Sequence, residues 1–143
     1  MRGTVNDIQV IDDFAHHPTA IAMTLEGLRA TQDHGRLIAV IEPRSNTMKL
    51  GTMKARLPES VNSADLVYWY QPSALGWQVE EVARECSVPA RAMTDTAQMI
   101  DELVAQARPN DRIVIMSNGG FDNIHERLLQ ALQVRYGVTE SRF

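Results

Sequence analysis

Five short apolar runs, each followed by residues spaced for a helix, fix the class of fold open to this chain. The runs are Ile8–Ile11, Leu37–Ile41, Leu66–Tyr70, Ala90–Met93 and Ile113–Met116, of which Ala90–Met93 is the weakest. As a set they lack the strict apolar–polar alternation of strands with one wet face, so they read as strands buried on both sides. That pattern belongs to a parallel sheet covered by helices on each face, with right-handed crossovers. Helical spacing follows each run. Ile21, Leu25 and Leu28 line a helix from Pro18 to Arg29, and a less regular stretch from Leu50 to Leu57 is expected to stop near Pro58. Val79, Val82 and Ala83 mark a helix from about Trp77 to Cys86. Ala97, Ile100, Leu103 and Val104 mark another, and Ile124, Leu128, Leu129 and Leu132 face inward from the last. The expected fold class is α/β, a three-layer α/β/α Rossmann-like domain with a mostly parallel sheet. Residues 134–143 read as a frayed tail.

A chain of 143 residues suits one domain with a real core. The formal net charge of −4 leaves no basic stripe to displace counterions from a nucleic-acid backbone, so no nucleic-acid partner is expected. The one cysteine, Cys86, has no partner for an internal disulfide. No secretory or membrane-spanning apolar run occurs, so no membrane partner is expected and the cytoplasm is the expected compartment.

The chemistry-bearing residues cluster in loops after the strands. Asp12-Asp13-Phe14-Ala15-His16-His17-Pro18-Thr19 follows the first run, and Ser117-Asn118-Gly119-Gly120-Phe121 follows the last. In an open parallel sheet both fall at the carboxyl ends of strands, where such sheets bind ligands. Neither a Gly-x-x-x-x-Gly-Lys-Ser/Thr loop nor a Gly-x-Gly-x-x-Gly fingerprint is present, so most phosphates of any bound nucleotide must be held by something else. The Asp13 carboxylate can accept hydrogen bonds from ribose hydroxyls. A histidine beside a helix N-terminus is biased toward its neutral form and can donate one N–H to an oxygen. The plainer reading is that Asp12 or Asp13 caps the turn and His16 and His17 are solvated. Adjacent histidines seldom converge on one ion, and no metal-ligand spacing accompanies them, so no metal site is expected. Arg44, in Glu42-Pro43-Arg44-Ser45-Asn46, can fork onto a carboxylate or phosphate, or pair with Glu42. Gly119 and Gly120 let backbone N–H groups approach an anion, although a tight turn would use them too. Nothing marks Ser117 as an activated nucleophile, and Trp69, Tyr70 and Trp77 read as core before pocket wall.

Taken together, these loops resemble the C-terminal domain of the Mur ligases, the ATP-dependent amide-forming enzymes of peptidoglycan synthesis. Asp-Asp-Phe-Ala-His-His-Pro-Thr is similar to the motif that opens that domain. Glu-Pro-Arg-Ser-Asn-Thr-Met-Lys, with Met-Ser-Asn-Gly-Gly-Phe, narrows the resemblance to one branch. That branch returns a salvaged L-alanyl-γ-D-glutamyl-meso-diaminopimelate tripeptide to UDP-N-acetylmuramate in peptidoglycan recycling. The similarity runs from about Asp7 to Leu132. The alanine-adding branch shares the first motif, but usually builds the Glu42–Lys49 loop differently and lacks Ser-Asn-Gly-Gly-Phe. A free-standing doubly wound nucleotide-binding or signalling module is the third alternative. A response regulator would want an aspartate where this chain has Gln71.

The resemblance implies a division of labour. In the family, ATP with Mg²⁺ phosphorylates the carboxylate of the UDP-sugar, and the incoming amine attacks the acyl phosphate. The first domain holds the UDP-sugar, the central one carries the phosphate loop and Mg²⁺ ligands, and the third closes over both. Residues 1–133 resemble only the third, so N-terminal and central domains are expected as partners and the chain alone is expected to be inactive. Asp13, His16 and His17 are then expected at the nucleotide. Arg44, Ser45, Asn46, Gln71, Ser117, Asn118, Gly119 and Gly120 are expected at the substrate, and no residue of this domain is assigned as catalytic. Gln71-Pro72-Ser73 stands where the diaminopimelate-adding relative has an arginine-bearing motif. This sequence lacks that arginine, so peptide recognition must differ here. The family also implies six strands, with the strand ending near Met116 between those ending near Asp12 and Ile41. Residues 2–5 would be a remnant of an antiparallel edge strand.

Overall fold

The computed structural model describes residues 3–13, 18–31, 35–42, 56–71, 78–117 and 123–136. Its strands are β1 (Gly3–Val5), β2 (Ile8–Asp13), β3 (Leu37–Ile41), β4 (Leu66–Tyr70), β5 (Ala90–Met93) and β6 (Arg112–Met116). The helices are α1 (Pro18–Ala30), α2 (Val79–Glu85), α3 (Thr96–Gln106) and α4 (Ile124–Tyr136), and residues 56–60 are also helical. The sheet order is β1-β2-β6-β3-β4-β5. All neighbours are parallel except β1, which pairs antiparallel with β2 through a tight turn at Asn6 and Asp7. Both turn residues have positive φ, 53° and 66°, the pattern of a type I′ hairpin. The mostly parallel sheet with an antiparallel edge strand is therefore as expected.

Strand β6 lies between β2 and β3, with Asp13 opposite Met116 and Met116 opposite Ile41. That order puts the carboxyl ends of the first, second and last apolar runs side by side. Burial explains why these strands carry so few polar residues. Along β3, Ile38 and Val40 pack under α3 and α4, while Leu37, Ala39 and Ile41 pack under α1 and the helical segment at 56–60. Each fully buried aliphatic side chain contributes about 1.5–3 kcal/mol relative to exposure. Trp69, at 0% exposure, is core and not pocket wall.

Two boundaries differ from the sequence reading. Residues 56–60 are helical, so the helix runs through Pro58. Burial of Leu57 and Val61 against the sheet outweighs the local proline signal. Helix α4 reaches Tyr136, whose hydroxyl donates to the Ala107 carbonyl at 3.0 Å, so residues 134–136 are helical and not part of a tail. Among the described residues, no helix is long and apolar enough to cross a membrane.

Candidate ligand site at the carboxyl ends of the strands

Three main-chain or side-chain links draw the ends of β2, β6 and β3 together. The Ser117 N–H donates to the Asp13 carbonyl at 3.2 Å, and the Glu42 N–H donates to the Met116 carbonyl at 3.0 Å. Ser117, only 2% exposed, donates its hydroxyl to Glu42 Oε1 at 2.8 Å. A buried serine held this way is an anchor between two loops. Glu42, regarded in the sequence only as a partner for Arg44, is thus a structural tie of the site. An acidic residue directly after a fully buried strand was the signal for it.

Strand alternation places the acidic pair. Consecutive strand residues point to opposite faces. Asp13 accepts a hydrogen bond of 3.4 Å from the Thr24 hydroxyl of α1. Asp12 meets α4 on the other face, with Oδ1 standing 2.9 Å from His125 Nε2. The ring N–H is off the line of that contact, so the approach is an ion-pair distance without a linear hydrogen bond. Sequence reasoning missed both Asp12 as a bridge and His125. The available signal was a histidine next to Ile124 and three residues before Leu128, on the buried side of a helix.

Gln71 sits at the carboxyl end of β4, at the same end of the sheet. Its N–H donates to the Met93 carbonyl at 2.8 Å, and its Oε1 accepts the Val79 N–H at 2.7 Å. The side chain thereby satisfies a donor in the first turn of α2, which has no side-chain cap of its own at Gln78. A groove of about 490 Å³ runs from Gln71 along the edge strand β5, past Arg84, Arg91 and Thr94. It flanks the sheet and does not enter the crevice between β2, β6 and β3.

Of the residues singled out in the sequence, the structure brings Asp13 and Ser117 together and sets Gln71 two strands away along the same edge. His16, His17, Arg44, Ser45, Asn46, Asn118, Gly119 and Gly120 lie outside the described residues. Among the described residues, no group of three or more His, Cys, Asp or Glu could hold a metal ion. Among the described residues, Asp13 presents a half-buried carboxylate at a strand end before the start of α1, an acceptor suited to hydroxyl groups.

Residues 1–119 match the family described as Mur ligase, glutamate ligase domain. The chain is 50% identical over 133 residues to the UDP-N-acetylmuramate–L-alanyl-γ-D-glutamyl-meso-2,6-diaminoheptandioate ligase of Escherichia coli (strain K12), covering 92% of this chain and 29% of that relative. A UDP-N-acetylmuramate–L-alanine ligase of Mycobacterium sp. (strain JLS) is 30% identical over 147 residues, covering 96% of this chain and 30% of that relative. The crystal structure of a murein peptide ligase from Psychrobacter arcticus superposes with a TM-score of 0.83 at 46% identity, covering 91% of this chain and 28% of that one. The chain thus spans about three-tenths of the length of the curated relatives it matches. With the family match extending over most of its length, and with the expected strand order in place, the chain belongs to the Mur ligase, glutamate ligase domain family.

Proposed function

We propose that this chain is the third domain of an ATP-dependent ligase that joins L-alanyl-γ-D-glutamyl-meso-diaminopimelate to UDP-N-acetylmuramate in peptidoglycan recycling. The observation that carries this reading is the 50% identity to a relative named for that tripeptide, against 30% for the alanine-adding ligase over a similar span. The same contrast disfavours the alanine-adding reading. The domain extends to the end of α4 at Tyr136, and the UDP-sugar and central ATP-handling domains belong to the rest of a longer cytoplasmic protein. Mg²⁺ is assigned to that central domain, as the family resemblance implies.

ATP supplies the phosphoryl group that activates the UDP-sugar carboxylate toward the peptide amine. The domain's own residues bind, orient and exclude water. Asp13 accepts ribose hydroxyls, with Thr24 steadying one of its oxygens, and His16 and His17 are assigned to the nucleotide. Arg44, Ser45 and Asn46 follow the Glu42 anchor and are assigned to phosphate or peptide. Ser117, Asn118, Gly119 and Gly120 are assigned to the peptide carboxylate, for which backbone N–H groups are suitable donors. Gln71 was expected at the substrate. Its bond to Val79 supports a role in holding the start of α2 at the rim of the substrate site. Closure of the domain keeps water from the acyl phosphate.

Ligation by the full-length protein, supplied with ATP, UDP-N-acetylmuramate and either tripeptide or L-alanine, tests the reading. Tripeptide should be joined and L-alanine ignored. Preference for L-alanine would establish the alternative. This chain alone should neither hydrolyse ATP nor ligate, because the phosphate loop and UDP-sugar site are elsewhere.

A further inference from the structure

The groove between the edge strand β5 and helix α2 has no duty in the crevice chemistry. β5 is the last strand of the sheet. On its inner side, the Val67 N–H donates to the Pro89 carbonyl at 3.0 Å and the Gln71 N–H to the Met93 carbonyl at 2.8 Å. Main-chain groups alternate sides along a parallel ladder, so those of Ala90 and Ala92 face the open edge. Both alanines line the groove of about 490 Å³. Charge stands on its other wall. Glu80 and Arg84 are exposed, lie one turn apart on α2, and also line the groove. At that spacing the Cβ atoms are about 5–6 Å apart, and opposite charges commonly pair. Among the described residues, no ion pair joins these two to each other or to a neighbour. Arg91, by contrast, is held by Glu102 of α3 at 3.0 Å.

We infer that this groove seats the diaminopimelate end of the acceptor peptide, with Arg84 on its distal carboxylate and Glu80 on its distal ammonium. The inference rests on the ligase reading for its substrate. The distal carbon of meso-diaminopimelate carries both charges, so its recognition calls for a cation and an anion side by side. A guanidinium can fork onto the carboxylate, and a carboxylate can accept from the ammonium. Reach agrees. The groove lies two strands from β3, about 10 Å at about 4.8 Å per strand. An extended L-alanyl-γ-D-glutamyl segment covers roughly 7–10 Å. An amine in the crevice therefore brings the third residue to Gln71, where the groove begins. The open edge at Ala90 and Ala92 can pair with a peptide amide as an added strand would. Gln71-Pro72-Ser73 has no arginine, and Arg84 on the helix that follows supplies the cation.

The test uses Arg84→Gln and Glu80→Gln in the full-length ligase, with tripeptides ending in meso-diaminopimelate, L-lysine or 2-aminopimelate. L-Lysine keeps the distal ammonium and lacks the carboxylate, and 2-aminopimelate does the reverse. The wild type should use the diaminopimelate peptide about tenfold better than either in kcat/KM, the order expected of one charge-assisted contact. Arg84→Gln should lose about tenfold on the diaminopimelate and 2-aminopimelate peptides and stay within about twofold on the lysine peptide. Glu80→Gln should lose about as much on the diaminopimelate and lysine peptides and stay within about twofold on the 2-aminopimelate peptide. Melting temperature and the KM values for ATP and UDP-N-acetylmuramate should match wild type, because both side chains are exposed. Three results would overturn the inference and leave the functional reading standing: a wild type indifferent to the last residue, equal losses on all the peptides, or a variant that loses nothing on the diaminopimelate peptide. Ligation of L-alanine in place of tripeptide would overturn both.

Discussion

At the amino ends of the parallel strands, Asp111 is 1% exposed and its two oxygens accept Nε and an Nη of Arg36 at 3.1 and 2.7 Å. The same carboxylate accepts the Arg108 N–H, and Arg36 reaches on to the Gln106 carbonyl. Nearby, Asp65 takes the Leu37 N–H and the Arg29 guanidinium, and Arg112 donates to the Leu28 carbonyl. At the carboxyl ends, Asp13, Glu42 and Gln71 are only half-buried, and the side chain of each makes a hydrogen bond to a neighbouring loop or helix, at 3.4, 2.8 and 2.7 Å respectively. The first end is cross-linked across the sheet, with the carboxylates of Asp65 and Asp111 each serving several donors. The second leaves carboxylates and amides at the rim of a crevice. The contrast separates where this domain is held together from where ligands are proposed to meet it.

The largest effect that would sharpen this contrast lies at the amino-end network. Asp111→Ala should destabilise the domain by about 3 kcal/mol, near the lower bound for breaking a buried pair because Arg36 is partly exposed. That corresponds to a fall in melting temperature of roughly 10 °C. Thermal unfolding checks it, and the full-length variant should keep its turnover below that temperature. The next effect is functional. Arg44→Ala should lower kcat/KM for ligation about tenfold while leaving the melting temperature unchanged, since a single charged loop contact contributes little to folding. Full activity in that variant would break the assignment of the second end.

Smaller effects probe the links themselves. Ser117→Ala removes the hydroxyl bond to Glu42 and should cost about 1 kcal/mol in chemical denaturation. It should also raise the KM for tripeptide more than that for UDP-N-acetylmuramate. The smallest concerns Tyr68, whose hydroxyl lies beside Glu102 and Gln106 on the α3 face. Burial first, then the Glu102 charge, pushes its pKa up to about 12. The folded state thus favours the protonated phenol. Its contribution to stability is complete below about pH 10 and is lost as pH rises from there through 12. An ultraviolet phenolate titration should show one of the three tyrosines ionising near pH 12, and Tyr68→Phe should delete that step.

The two ends also differ in how far they could be read from residues alone. Strands β3, β4 and β5 begin and end where their apolar runs do, because burial on both faces leaves few alternatives for LIAVI or LVYWY. The order β2-β6-β3 was not legible from periodicity and came from family resemblance. Helical residues around Pro58 were misread because a local breaker signal says nothing of the tertiary burial of Leu57 and Val61. At the site, Asp13 and Ser117 were legible as residues at the carboxyl ends of strands, although Asp12 and Asp13 close β2 and do not open a loop. Their partners Thr24 and Glu42 were not, being 11 and 75 residues away in sequence. The Asp12–His125 contact escaped for the same reason. Cross-sheet pairs depend on strand order, which single residues do not encode.

Two glycines, one associated with each end, give the most direct test. Gly35 has a φ of +90°, and a Cβ there would collide with the Asn110 carbonyl. Gly119 stands in the segment assigned to the peptide carboxylate. In the full-length ligase, melting temperature and the KM for each substrate would be measured for Gly35→Val and Gly119→Val. Gly35→Val should lower the melting temperature by roughly 8 °C or more, through strain of about 2–3 kcal/mol, with kinetics of the folded fraction unchanged. Gly119→Val should melt within about 2 °C of wild type while raising the KM for tripeptide about tenfold and leaving that for UDP-N-acetylmuramate unaltered. A Gly119→Val enzyme with normal tripeptide kinetics, or a Gly35→Val enzyme that is stable yet inactive, would contradict the division between the two ends.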